Sequence, residues 1–381
     1  MTYSTAPVPA TICGPGALGQ IGREAAALSR HARVLLVADP FLETQGLLAP
    51  ALAALAAEGL AVSPFTAFTG EPKSTHVAAA AQAGRAAGAD LVIGIGGGSA
   101  LDIAKLATAC IPGAPDPMAY ALAATPLPPE PLPSLLVPST AGTGAESCAT
   151  CIFSGPDGRK LWAWGQELKP RLVLLDPELT VSLPPALTAW CALDAFVHAF
   201  EASTSARSHA GAALHAHHAL RLIPKALPRA IAAPEDLAAR EALLLGAFHA
   251  GVAIDNCGTA IAHALSHGAA ALAPVHHGLA TALGFGVSLR WLVARPTPQI
   301  EAAAQACGCP CAAALPEAWE DLVARCAAPL ALPEAFRAVT PEALVRAVSG
   351  PECAPMLTAH RARATPEELT GFARAMLDTA A

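Results

Sequence analysis

Short apolar runs alternate with alanine-rich amphipathic segments through the first half of the chain. Ala10 to Gly14 reads as a strand, followed by a helix from about Ala17 to Ser29. Val34 to Ala38 is a compact apolar run ending at Asp39-Pro40, the pattern of a buried strand stopped by proline. Leu60 to Phe65 and Asp90 to Ile95 repeat the theme, with helical stretches between them. After proline-rich Thr125 to Pro133, a surface loop by composition, comes a strand at Ser134 to Pro138. A hairpin over Thr150 to Trp164 and a last buried strand, Arg171 to Leu175, complete the half. Alternating strand and helix predict βαβ units and a mainly parallel sheet.

From Leu183-Pro-Pro185 the pattern changes to long alanine- and leucine-rich segments of helical period, running almost to Ala381. Thr365-Pro-Glu-Glu368 is a capping box with proline in the first helical turn. The expected architecture is therefore an α/β N-terminal domain, residues 1–182, built on a mainly parallel sheet in a Rossmann-like variant. An all-α C-terminal domain, residues 183–381, follows it.

Composition narrows the function. Hydrophobic residues reach 54% and charged ones 14%, but alanine supplies much of the first figure, so the excess does not imply a membrane. No run of about 18 strongly apolar residues escapes glycine, proline or histidine, and the N-terminus lacks a basic region followed by an apolar core. Neither a spanning helix nor a signal peptide is expected. A net charge of -7 without a basic block argues against nucleic acid as a partner. Eleven cysteines, an odd number spread through helices and strands, favour reduced thiols in a cytoplasmic setting. Cys307-Gly-Cys309-Pro-Cys311 lacks a second pair at zinc spacing and reads as a loop of small apolar thiols.

Candidate chemistry lies in three places. Gly94-Ile-Gly96-Gly97-Gly98-Ser99 stands where a strand ends and a helix, Ala100-Leu-Asp102-Ile-Ala-Lys105, begins. Bare backbone there can approach a pyrophosphate, and the helix amides point at the anion. Ser99 replaces the third glycine of the Rossmann fingerprint, and the acidic strand-end residue Asp39 precedes the loop instead of following it. A second strand-end loop, Ser139-Thr140-Ala-Gly142-Thr143-Gly144-Ala-Glu146, offers amides and hydroxyls to phosphate or ribose, or is an ordinary polar turn. Lys160 on the hairpin either meets a phosphate or faces solvent. The third place is Asp194-Ala-Phe-Val-His198, His263-Ala-Leu-Ser-His267 and His276-His277-Gly278. Residues four apart share a helix face, and a carboxylate with imidazoles from separate helices suits a divalent metal.

At these motifs the sequence resembles the iron-containing (group III) alcohol dehydrogenase family, which has the dehydroquinate synthase-like fold, over nearly the whole chain. The resemblance rests on Gly96 through Lys105, Ser139 through Glu146, Pro170 through Leu183, Asp194 through Glu201, and the two later histidine motifs. It implies that Asp194, His198, His263 and His277 ligate one divalent metal, usually iron and sometimes zinc. His267 corresponds to the family's unligated histidine near nicotinamide and substrate and so to a proton relay. Gly97, Gly98 and Ser99 would hold the pyrophosphate of NAD(H), with Gly96, Asp102, Thr140, Thr143 and Lys160 also in the cofactor cleft. Asp39 takes the position facing the adenosine ribose, where a carboxylate accepts from a 2′-hydroxyl and repels a 2′-phosphate, so NAD is favoured over NADP. The implied reaction is hydride transfer between nicotinamide C4 and a small primary alcohol or aldehyde, in a homodimer or larger homo-oligomer.

The chain departs from the family's pattern at Ala270, Leu272 and His276, where glycine, an aromatic and proline are usual, and at Glu71, commonly asparagine. His276 adds an imidazole that could compete as a ligand. Maleylacetate reductase, a metal-independent relative, usually has asparagine in place of Asp194 and glycine in place of Asp102, so both positions speak against it. A zinc-dependent polyol dehydrogenase of glycerol type stays compatible with the motifs. A dehydroquinate synthase-like lyase would share NAD and a metal, but its basic phosphate-binding residues are missing here.

Overall fold

A computed structural model describes residues 2–326 and 329–380. The chain forms two compact units. One comprises residues 7–140 and 145–182, the other residues 1–6, 141–144 and 183–381. The stretch 141–144, inside the second strand-end loop, thus belongs to the helical unit.

The first unit is built on six strands, β1 (Ala10–Cys13), β2 (Arg33–Ala38), β3 (Ala61–Phe65), β4 (Leu91–Gly96), β5 (Ser134–Pro138) and, later in the chain, Leu172–Leu175. Between the last two runs the hairpin of β6 (Thr150–Ser154) and β7 (Lys160–Trp164), so Leu172–Leu175 is β8. The order in the sheet is β1-β8-β5-β4-β2-β3, and every pairing in it is parallel. The apolar runs are continuous because helices cover both faces of a parallel sheet. Alternate residues go to opposite faces. Leu35, Val37, Val92 and Leu136 pack with Ala80, Leu101 and Ala104, from the helices Ser74–Ala87 and Gly98–Cys110. Val34, Leu36, Leu91, Ile93 and Val137 pack with Ile21 and Leu55, from the helices Ile21–Leu28 and Ala49–Ala57. The expected first helix begins as a 3-10 turn, Ala17–Gln20, in which Asp176 accepts from the amide of Leu18 at 2.9 Å.

The second unit is helical and is centred on Pro185–Thr204, whose residues from Ala192 to Thr204 are all buried. One side of that helix carries Phe196 and Phe200, which pack edge-on against Phe285 at 6.0 and 5.0 Å. Such aromatic contacts fix the helix rotationally, and the opposite side is left to Asp194, His198 and Glu201. Around it stand Ala210–Ala232, Leu237–Cys257, Ile261–Ala270 and His277–Val293. Among the described residues, Leu237–Cys257 is the one helix long and apolar enough to cross a membrane by length and composition. It packs along Pro185–Thr204 and Ala210–Ala232. The capping box forms at Thr365, which accepts from the Glu368 amide while Glu368 accepts from the Thr365 amide.

Candidate metal centre and nucleotide loops

Pro185–Thr204 presents Asp194 and His198 one turn apart. The Ile261–Ala270 helix adds His263, and His277 is the first residue of His277–Val293. One ligand atom from each of Asp194, His198, His263 and His277 lies within 4.8 Å of all the others. Asp194 Oδ1 stands 3.5 Å from His263 Nε2 and 3.6 Å from His277 Nε2, and Asp194 Oδ2 is 3.8 Å from His198 Nδ1. The rings of His198 and His263 stack at 4.3 Å.

Three buried atoms of this set, Asp194 Oδ1, His198 Nδ1 and His263 Nε2, make no hydrogen bond. Such atoms are costly to bury unless something coordinates them. One carboxylate oxygen and three imidazole nitrogens at this spacing fit a divalent first-row ion. Two neighbours set the ring orientations. His263 Nδ1 lies 2.7 Å from Glu201 Oε2, which turns Nε2 toward Asp194. Ser266 Oγ lies 3.1 Å from His277 Nδ1, leaving His277 Nε2 on the Asp194 side. Glu201 also accepts from the amides of Ala260 and Ala262, at 2.6 and 2.8 Å, and so fixes the start of the helix that carries His263.

Protonation follows from these contacts. Burial opposes ionisation of Asp194, but His198, His277 and His263 outweigh it and hold the carboxyl well below the usual range. Burial pushes His198 down to about 4, against the pull of Asp194. Burial also disfavours protonated His263, yet Glu201 and Asp194 overcome it and lift the ring to about 9. A ring nitrogen binds a metal only without its proton, so protonation of His263 opposes metal binding at this set.

His267 is buried one turn beyond His263, its ring 5.7 Å from that of His277. His276 behaves differently from its neighbour. It is exposed, its ring 5.1 Å from Trp190, and it stands outside the four-residue set. The competing-ligand expectation thus has no support in the geometry, because the turn into the His277–Val293 helix sends adjacent side chains apart.

In the sheet unit, Gly96 ends β4 with φ +151°, and a Cβ there would meet Ala100 Cβ at 2.7 Å and Asp39 Cβ at 2.9 Å. Only glycine lets the loop pass this close to Asp39. Gly97 is the N-cap and Gly98 and Ser99 the first residues of the Gly98–Cys110 helix, so their amides stand at its positive end. Thr140 is the nearest neighbour of Gly97, 3.5 Å from the place a Cβ would take. Asp39 caps the Pro40–Thr44 helix by accepting from the Phe41 amide at 2.9 Å. Asp102 Oδ2 accepts from the Ile152 amide of β6 at 3.0 Å, an anchoring bond to the hairpin. Lys160 is buried and paired with Glu71 at 2.9 Å, so it does not face open solvent. Thr143 is half-buried in the stretch that joins the helical unit, where Gly142 packs on Cys191 and Gly144 on Gly251.

Glu201 and Lys105 stand inside sequence motifs that assign neither of them a role. A signal for Glu201 is nonetheless present: it stands three residues after His198, on the same helix face. Lys105 is fully buried and donates to the carbonyls of Ala145 and Thr150 at 2.8 and 2.5 Å, tying the glycine-loop helix to the second loop. A fully buried lysine satisfied by carbonyls leaves no pattern in the sequence.

Residues 9–177 match the model of the family described as iron-containing alcohol dehydrogenase, and residues 188–337 match that family's C-terminal model. The chain is 38% identical to the probable alcohol dehydrogenase EutG of Salmonella typhimurium over 74% of its own length and 71% of the relative's. It is 30% identical to the NAD-dependent methanol dehydrogenase of Bacillus methanolicus over 71% of each. Among solved structures, sulfoacetaldehyde reductase from Bifidobacterium kashiwanohense in complex with NAD+ superposes with a TM-score of 0.89, at 26% identity and over 100% of both chains.

Proposed function

The chain belongs to the iron-containing alcohol dehydrogenase family, and from that premise we propose that it interconverts a short primary alcohol and its aldehyde with NAD(H) as the coenzyme. The observation carrying this reading is the set of buried Asp194, His198 and His263 with half-buried His277, three of whose donor atoms lack hydrogen bonds. A maleylacetate reductase reading loses its ground here, since such an enzyme has no use for that set.

When bound, a divalent ion, iron on the family's pattern, supplies Lewis acidity and the nicotinamide supplies or accepts the hydride. The residues do the rest. Asp194 offers charge as well as an oxygen, and the three imidazoles offer neutral nitrogens. Glu201 and Ser266 hold two of those rings in the tautomer that faces Asp194. His267, beside His277, is assigned the proton released or taken up at the substrate hydroxyl. Gly96, Gly97, Gly98 and Ser99 present backbone to a pyrophosphate, and Thr140, beside Gly97, adds a hydroxyl. Asp39 is assigned the 2′-hydroxyl of the adenosine ribose, which favours NAD over NADP. Asp102 and Lys160 are assigned positions in the cofactor region, as an anchor to β6 and a partner of Glu71. A cytoplasmic homo-oligomer with the two units divided near residue 182 completes the proposal. The absence of disulfides among the described residues and the symmetric habit of such enzymes support it.

Anaerobic metal analysis of wild type and His263→Ala, paired with NADH oxidation against short aldehydes, tests the reading. The expected result is metal and turnover in the wild type, both lost in the variant. NADH turnover persisting without metal would overturn it.

A further inference from the structure

A second group of histidines lies in the helical unit, away from the four-residue set in sequence and on other helices. His215 and His218 stand one turn apart on Ala210–Ala232, and His249 faces them from Leu237–Cys257. The two helices approach closely at Gly246, where a Cβ would meet Ile223 Cγ1 at 2.7 Å. His215 Nδ1 and His249 Nδ1 are 2.9 Å apart, with the rings stacked at 5.1 Å. The His218 ring meets the His249 ring edge-on at 4.8 Å.

Among the described residues, no carboxylate is hydrogen-bonded to these three rings. His215 and His249 are hydrogen-bonded to each other through their Nδ1 atoms instead, which is unusual for groups that normally seek a carbonyl or an acid. Neighbouring His217 takes no part, because its Nε2 is bound to Ser203 Oγ at 2.8 Å. All three rings are half-buried, so their environment is open enough for an ion to enter.

We propose that His215, His218 and His249 form a second transition-metal site, for a borderline ion such as Zn2+, Ni2+ or Cu2+. Imidazole nitrogen is the preferred donor for these ions, and three such donors with water in the fourth position make a recognised coordination set. The Nδ1–Nδ1 separation of 2.9 Å is slightly below the roughly 3.3 Å that two ligands of a tetrahedral ion adopt at bond lengths near 2.0 Å. Binding exchanges the Nδ1–Nδ1 hydrogen bond of His215 and His249 for the ion, both rings then carrying their proton on Nε2, and requires the edge-on His218 ring to turn a nitrogen toward it. The rings are available as bases: burial first, then His218 and His215, holds His249 down to about 4, and burial with His218 lowers His215. Among the described residues these rings have no carboxylate hydrogen-bonded to them, and an all-imidazole set disfavours magnesium and calcium, which require oxygen.

The test uses wild-type protein already loaded at Asp194 and its partners, titrated with Zn2+ by calorimetry and checked by metal analysis after gel filtration. Wild type is expected to take up about one further ion per chain. His215→Ala and His249→Ala are expected to lose that uptake while oxidising alcohol at the wild-type rate, and His218→Ala to weaken it at least about tenfold. His263→Ala, which damages the other centre, is expected to keep it, so failure of the proposed catalytic centre and failure of this site are read separately. No further uptake by wild type, or the same uptake by His215→Ala and His249→Ala, overturns the proposal.

Discussion

Glu201 Oε2 lies 2.7 Å from His263 Nδ1, on the side of the ring opposite the nitrogen that faces Asp194. The carboxylate is fully buried and also holds two backbone amides. One side chain therefore sets the tautomer of a candidate ligand and the start of its helix.

Glu201→Gln keeps the size and removes the charge, so the amide must both accept from Ala260 and Ala262 and satisfy His263. Metal affinity is expected to fall about 10- to 100-fold. Glu201→Ala leaves buried donors unpaired and is expected to cost about 3–5 kcal/mol of stability as well. Competition against a chelator and denaturant unfolding read the two effects. An unchanged metal affinity in both variants would show that Glu201 only packs.

Gly278 follows His277 at the start of its helix, and a Cβ there would lie 2.3 Å from the Trp190 carbonyl oxygen and 3.3 Å from Asp194 Cβ. Backbone cannot retreat as a flexible side chain can. Gly278→Ala is expected to lose about 1–3 kcal/mol of stability. It should also weaken metal binding, because the shift separates His277 from Asp194. Thermal unfolding with and without metal checks this, and a variant as stable and as well loaded as wild type would refute the close approach.

Glu146 is buried in the second loop, and burial raises its carboxyl to about 7, against its own backbone hydrogen bond and Lys105. Its ordinary value is 4.5, so between 4.5 and about 7 the unfolded chain releases the proton first and folding stability falls as pH rises. The loss across that window is on the order of 3 kcal/mol. Below 4.5 both states are protonated and the stability from this group is fully present. Glu146→Gln is expected to flatten this dependence, so that its advantage over wild type grows from pH 5 to pH 8. Denaturation midpoints measured across that range decide it: parallel curves would remove Glu146 as the cause.

Asp39 sits against Gly96 and caps the next helix. Asp39→Ala removes the charge that opposes a 2′-phosphate, so kcat/KM for NADP+ relative to NAD+ is expected to rise at least about tenfold. Loss of the cap should cost about 1 kcal/mol. Steady-state kinetics with both coenzymes test it, and an unchanged ratio would take Asp39 out of ribose recognition.

The fold was legible because its signals are local. Runs such as Val34 to Ala38 and Ser134 to Pro138 had to be strands buried on both faces, and Thr365 with Glu368 had to start a helix. The donor types of the candidate metal set were legible too, since Asp194 and His198 share a helix face by spacing alone. Tertiary structure decided what lies between elements distant in sequence. It joined His263 and His277 to Asp194, and it gave Glu201 its role 62 residues away from His263. It separated His276 from His277, paired Lys160 with Glu71, and brought His249 to His215 across 34 residues. Periodicity fixes which face of an element a residue occupies. What stands opposite that face depends on how helices and strands pack, and no spacing in the sequence carries that.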